Sequence, residues 1–425
     1  IRNATIWTVS EGRIDGGVVL VKDGKISAVG KRLEIPHAAR VIDAYGGHVI
    51  PGMIDIQSEL YLGSRDRAEK SRFGASLDVT NALDLFTPAA RQVLQEGVTA
   101  VYVGPGTGGL IGGLGAVLRV GTEPDLDSAV LRREAALKIN LGLARDRTSA
   151  EWRLGHYHEI RKVLRGAEQY RETWEKYEED LAKYEKEKKE FDKKEEAKKK
   201  DEKKKPDDKK DKAGKSKEKK PAPPKKPRKP SKKPDQEILV RALAGEIPVR
   251  LQTEWHDSIR NALHLADEFD LDWVLEGGAD ATTLTASLVE AKISVIVGPI
   301  VTSPLGGVDA ARSKAERAGL LAASGIKVAI GSGGGGALGS RYLRYQACLA
   351  VRHGMDREAA LKAITIVPAE ILGVSDRIGS ITEGRDADLV ILDGDPLKSL
   401  SRVTHVIRGE KVIRITAPEP RRRDF

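Results

Sequence analysis

Gly46-Gly47-His48-Val49-Ile50-Pro51-Gly52-Met53-Ile54-Asp55-Ile56-Gln57-Ser58-Glu59-Leu60 is the stretch whose reading decides the fold. An apolar run from Val49 to Ile56 is broken by a Pro-Gly pair and ends in alternating polar residues. Side chains alternate along a strand, so a strand over 50–56 sends Gln57 and Glu59 to the same side at its C-terminal end.

Working outward, the two ends of the chain read as short strands. Val18-Val19-Leu20-Val21 is apolar, Lys22-Asp23-Gly24-Lys25 is a turn, and Ile26 to Gly30 follows as a second strand. At the far end, Leu389 to Leu392 and Val403 to Ile415 supply further strands. Between the ends, apolar runs alternate with amphipathic helices, the pattern of a parallel α/β sheet. The expected strands are 50–56, 99–103, 115–120, 137–141, 248–251, 273–275, 293–297 and 328–330. Helices are expected over 257–268, with Ile259, Ala262, Leu263 and Ala266 on one face, and over 310–324.

Residues 46–60 resemble the amidohydrolase superfamily signature, G-x-x-V-x-P-G-x-I-D-x-H-x-H. Residues 378–397, Ile378-Gly379-Ser380-Ile381-Thr382-Glu383-Gly384-Arg385-Asp386-Ala387-Asp388 onward, resemble the C-terminal signature of that family. The imidazolonepropionase-like branch is the most similar. The resemblance implies an α/β fold: a (β/α)8 TIM-like barrel over 51–375, plus a small composite β-sandwich from residues 1–50 and 376–418. It also implies hydrolysis of non-peptide carbon–nitrogen bonds by a divalent metal, zinc or another, whose bound water becomes the nucleophile.

The ligand positions depart from that pattern. Gln57 and Glu59 stand where the strand-1 histidines belong. Gln252 and Gly277 stand where the next two histidines belong, and Gly333 where the aspartate belongs. By the same resemblance, Lys138 is a candidate for the position of the family's carboxylated lysine. His156-Tyr157-His158 falls in a helix, where residues two apart point about 200° away from each other and share no metal. His256, just past strand 5, is the one histidine within reach of a barrel mouth. What remains is carboxamide and carboxylate: Gln57, Glu59, Gln252, Glu254 and Glu276. Such a set suits a small polar ligand or a hard cation such as calcium. No metal cofactor is therefore expected. Glu59 and Glu254 are the candidate catalytic bases, and Gln57, Gln252, Glu276 and Lys138 the candidate binding residues. The 331–339 loop is a candidate backbone cradle for an anion.

Composition bounds the remaining alternatives. The net charge of +9 is misleading, because residues 182–235 hold 25 Lys/Arg against 13 Asp/Glu and the remainder is slightly acidic. Residues 150–192 read as a long helix with Tyr170, Trp174, Tyr177, Leu181, Tyr184 and Phe191 on one stripe. Residues 183–235, rich in lysine and then proline, read as helix fading into a disordered insertion with an extended Pro-rich tether. That segment is a candidate contact for nucleic acid or an anionic surface. The single cysteine, Cys348, excludes an internal disulfide. No run is long and apolar enough to span a membrane. Ile1 opens in mid-pattern, and export is favoured over the cytoplasm. Three functions are carried forward: an impaired or inactive ligand-binding homologue, an active hydrolase with an oxygen-ligand or metal-free site, and an interaction protein acting through the Lys-rich arm.

Overall fold

The computed structural model describes residues 1–63, 73–121, 125–142, 150–202, 223–300, 314–334 and 336–415. The strands, in chain order, are β1 (Ala4–Trp7), β2 (Arg13–Lys22), β3 (Lys25–Gly30), β4 (His48–Pro51), β5 (Met53–Ser58), β6 (Val98–Val103), β7 (Ile111–Arg119), β8 (Val130–Asn140), β9 (Val249–Thr253), β10 (Trp273–Gly277), β11 (Ser294–Val297), β12 (Val328–Ile330), β13 (Asp388–Leu392), β14 (Val403–Arg408) and β15 (Lys411–Arg414). They form two sheets. β5 to β12 lie in sequence order in an eight-stranded, nearly closed barrel sheet. The second sheet has the order β15-β14-β13-β4-β1-β2-β3 and draws on both chain ends.

Each of the eight expected barrel strands has its counterpart, with two differences. The run expected as one strand over 50–56 is two strands in two sheets. β4 pairs with β1 and β13, and β5 pairs with β6. The break is at Gly52, where a Cβ would lie 2.1 Å from the Thr99 hydroxyl oxygen, so only glycine lets the chain cross between the sheets there. The barrel is also not wholly parallel, because β7 runs antiparallel to both β6 and β8. The glycine-rich connection after β6 is too short for a crossover helix, and β7 returns as a hairpin partner.

Alternate residues of the barrel strands face inward. Ile54, Ile56, Ala100, Tyr102, Val117, Ala136, Val274, Ile296 and Ala329 form one buried cluster, joined by Ala369, Leu372, Val374 and Ile378. The outward-facing residues Met53, Val101, Leu275, Val295 and Val328 pack with helix residues, among them Ile259 of the helix His256–Phe269 and Leu321 of the helix Arg317–Ala323. Residues 310–313 of the expected 310–324 helix lie outside the described residues.

Two further contacts bind the barrel to its surroundings. The Arg119 guanidinium at the end of β7 pairs with both Asp388, at 2.9 Å, and Asp386. Asp55, fully buried, accepts from the backbone of Gln57 at 3.1 Å and of Ser332 at 2.9 Å, and from the Ser340 hydroxyl at 2.6 Å. This last set ties the first barrel strand to the segment that follows the last.

By contacts the chain divides into two compact units, 1–161 with 241–425, and 162–240. In the second unit, the helix Ala150–Glu202 continues ten residues past the expected end at 192. Residues 183–202, expected to fade into disorder, are therefore helical, and 203–222 lie outside the described residues. The Pro-rich segment is not a free tether. It runs extended beside the helix, with Lys229 Nζ 5.9 Å from the Trp174 ring centre and the Lys233 N–H donating to the Tyr170 hydroxyl at 3.3 Å. Pro224, Pro227 and Pro230 are half-buried while Lys225, Lys226, Arg228 and Lys229 are exposed. A three-residue repeat of this kind is the period of polyproline II, which puts every third residue on one face. The prolines thus lie on the less exposed side of a segment held to the helix at Tyr170 and Trp174. Trp174→Ala should release the strap, and trypsin should then cut after Arg228 several-fold faster than in the parent; equal cutting rates would show that the helix does not hold it.

Candidate functional site

At the C-terminal end of the barrel strands a cavity of about 230 Å³ opens, lined by Gln57, Glu59, Lys138, Gln252, Glu276 and Gly333 among others. Six of the sequence-derived positions thus converge on one space. Glu254 and Gly277 are not among its lining residues.

The strand register explains the convergence. Lys138 of β8 is opposite Arg250 of β9, and Gln252 of β9 is opposite Glu276 of β10. All four point inward, on the same alternation that buries Ala136 and Val274. At the centre is Glu276, fully buried. Its Oε1 accepts from Lys138 Nζ at 3.1 Å and from Gln57 Nε2 at 3.0 Å, and its Oε2 from Arg250 Nε at 2.8 Å. Arg250 also donates through Nη2 to the Ile56 carbonyl at 2.9 Å, and its guanidinium carbon stands 3.9 Å from the Tyr102 ring centre.

Burial pushes the Glu276 carboxyl up, but the Arg250 and Lys138 cations outweigh it and hold the group at about 2. Burial pushes the Tyr102 hydroxyl up to about 12, so it stays protonated. Arg250 and Tyr102 were absent from the sequence-derived site. Arg250 sits inside the apolar run Pro248-Val249-Arg250-Leu251, and a lone charge at an inward-facing strand position is the signal that would have found it.

The other carboxylates serve the loops. Glu59 Oε2 accepts from the Gly336 N–H at 2.9 Å. The glycine-rich loop after β12 therefore does engage an anion through its backbone, and that anion is the chain's own Glu59; Gly335 within it lies outside the described residues. Glu254, expected as a candidate base, accepts from the Ala279 N–H at 2.9 Å and braces the loop after β10 instead of facing the cavity. The two glycine positions are also occupied space. Gly277 has φ of +95°, and a Cβ there would meet Glu254 Oε1 at 2.3 Å. Gly333 has φ of +75°, and a Cβ there would meet Pro299 Cδ at 2.2 Å. A ligating side chain at either position would need a rebuilt backbone. His156 and His158 both lie in the helix Ala150–Glu202, and the His256 side chain is exposed at the start of its own helix. Among the described residues, no group of three or more His, Cys, Asp or Glu is arranged to hold a metal ion. No helix among them is long and apolar enough to cross a membrane.

Removing the Glu276 charge leaves two buried cations facing each other. Glu276→Gln should cost about 3–5 kcal/mol of stability, read as a fall in unfolding midpoint. Because its folded pKa lies below the ordinary 4.5, the Glu276 contribution is fully present above about pH 4.5 and fades as pH falls toward about 2. Acid titration of stability should lose that component in the variant, and an unchanged acid limb would count against the assignment.

The comparisons with known proteins agree with this architecture. The amidohydrolase family model matches residues 236–415. Among solved structures, an amidohydrolase from Thermotoga maritima is 25% identical, covering 97% of this chain and 99% of that one with a TM-score of 0.78. A prolidase complexed with N-methylphosphonate-L-proline is 17% identical, covers 98% and 99%, and has a TM-score of 0.54, which speaks to fold alone. Among curated proteins, amidohydrolase tasK of Hapsidospora irregularis is 38% identical over 60 residues, 14% of this chain and 6% of that protein. A dihydroorotase of Mycobacterium tuberculosis is 41% identical over 58 residues, 14% of each chain. The chain thus spans only a small part of the length of these curated relatives.

Proposed function

The chain belongs to the amidohydrolase superfamily, and from that premise we propose that it is a ligand-binding member whose barrel mouth works without a divalent metal. The observation that carries this reading is the Lys138–Glu276–Arg250 cluster. A metal centre needs neutral imidazoles and carboxylates with free lone pairs. The residues present do not fit one. Glu276 is taken by two cations, which would repel a divalent ion beside them. Gln57 turns its amide nitrogen to Glu276, and Glu59 is held by the Gly336 N–H. In this reading residues 1–50 and 376–418 form the composite β domain around a barrel over 51–375, with the Lys/Pro-rich 183–235 inserted. The protein binds a small polar molecule at the mouth, and hydrolysis by the usual route is lost.

Elemental analysis of the purified protein after dialysis should find well under one equivalent of zinc, iron, manganese or nickel. One equivalent that resists chelation and is lost in Gln57→Ala would overturn the reading.

A second reading, a metal-free hydrolase, is favoured by one observation: Glu59 lines the cavity with a backbone N–H and, among the described residues, no cation on its carboxylate. It would act as general base toward water. Small amides or lactams should then turn over slowly, with activity lost in Glu59→Gln and kept in Glu254→Gln; turnover indifferent to Glu59→Gln removes the role.

A further inference from the structure

At the middle of the second sheet two rings make a bond in which the barrel mouth has no part. Trp7, at the end of β1, donates its indole Nε1–H to His48 Nδ1 at 2.9 Å, and the rings lie stacked with their centres 6.3 Å apart. The direction of that bond fixes the proton on the imidazole. An indole N–H only donates, so Nδ1 is unprotonated, and His48 is the neutral form with its one proton on Nε2. His48 opens β4, where it lies between Thr5 of β1 and Leu392 of β13. β4 therefore joins the N-terminal strands to the C-terminal ones, and it leads through Gly52 into the first barrel strand. Trp7 itself packs against the large buried cluster that includes Ile50 and Leu392. The charged groups acting on the imidazole come from three places. β2 brings Arg13, whose guanidinium carbon stands 5.6 Å from the Trp7 ring centre, and Asp15, paired with Arg13 at 3.1 Å. The segment after β13 brings Asp395, and the helix Arg357–Lys362 brings Arg357, paired with that carboxylate at 2.5 Å.

We infer that Trp7 and His48 form an acid-sensitive latch on the second sheet: a proton taken from solvent onto His48 Nδ1 removes the acceptor and releases the indole. Two donors would then face each other across 2.9 Å, which neither ring can satisfy in place. The surroundings set where the latch opens. Burial of the half-buried ring is the largest influence and favours the neutral form. Asp395 and Asp15 draw a proton onto the imidazole, while Arg13 and Arg357 oppose it. The balance holds the His48 pKa below the ordinary 6.5. Its contribution to stability is therefore fully present above about pH 6.5 and is lost as pH falls through the folded value. The latch is shut in neutral solution and opens in acid. What acid frees is the contact between the N-terminal strands and the strand that enters the barrel.

The test is nitrogen-15 NMR of the full chain, following the Trp7 indole N–H peak as pH is lowered from neutral into acid. Trp7→Phe assigns that peak among the five tryptophans. The peak should move with a single midpoint below 6.5. Its protection from exchange, relative to free tryptophan at the same pH, should fall about five-fold through that midpoint, the scale of one lost hydrogen bond. His48→Gln keeps an acceptor that does not titrate, so its indole peak should hold the neutral-pH position throughout. Arg13→Gln should raise the midpoint and Asp395→Asn should lower it, because each removes a charge that now acts the other way. A peak that stays in place until the whole chain unfolds overturns the latch, and so does the same titration in His48→Gln. If His48→Gln does not fold, Arg13→Gln decides, since the Arg13 side chain is half exposed. A midpoint that this variant leaves unmoved then overturns the latch.

Discussion

A carboxylate buried at the centre of a barrel needs partners, and Glu276 has two cations and an amide. Taking three charges out of water is costly, and such a cluster persists only where geometry satisfies nearly every bond. Here the geometry comes from neighbouring strands: β8, β9 and β10 carry Lys138, Arg250 and Glu276 on adjacent inward positions, and β5 brings Gln57 across. The Tyr102 ring under the guanidinium covers its face where no hydrogen bond is available. The cluster sets the charge of the cavity, limits what can bind there, and makes the floor of the site part of the core.

The loops around the mouth have adjusted to the same arrangement. At Gly277 and Gly333 the volume of a side chain is filled by Glu254 and Pro299, and the backbone takes a left-handed turn that glycine alone adopts at little cost. Glu59, at the end of β5, anchors the loop after β12. The mouth is thus shaped by backbone conformation as well as by side-chain identity. A side chain at 277 or 333 would meet occupied space.

Much of the scaffold was legible because hydrophobic period reports burial directly. All eight barrel strands, and the helix His256–Phe269, stand out as apolar runs or stripes. Direction and closure are less visible: nothing in Ile111–Arg119 itself distinguishes a reversed strand from a parallel one, since both faces are buried either way. The break at Gly52 was written in the Pro-Gly pair, but that the halves join different sheets depends on Thr99, far along the chain. At the site, Gln57, Glu59, Gln252 and Lys138 could be placed by position along strands. Arg250 was hidden by its apolar neighbours, and the contact of Glu254 with the Ala279 N–H depends on the turn after β10, which the sequence does not show.

The same division runs through residues 46–60 and 378–397. They do two separate kinds of work. Gly52 passes the chain between the sheets. Asp55 gathers Ser332 and Ser340 onto the first barrel strand, and Asp386 and Asp388 hold Arg119 at the end of β7. None of these contacts involves the cavity, and each would cost stability if broken, whatever the mouth binds. Positions 57 and 59 instead turn their side chains to the mouth, Gln57 to Glu276 and Glu59 to the Gly336 N–H. The flanking motif is thus held by folding contacts that do not depend on what the mouth binds, and the motif by itself is a statement about architecture.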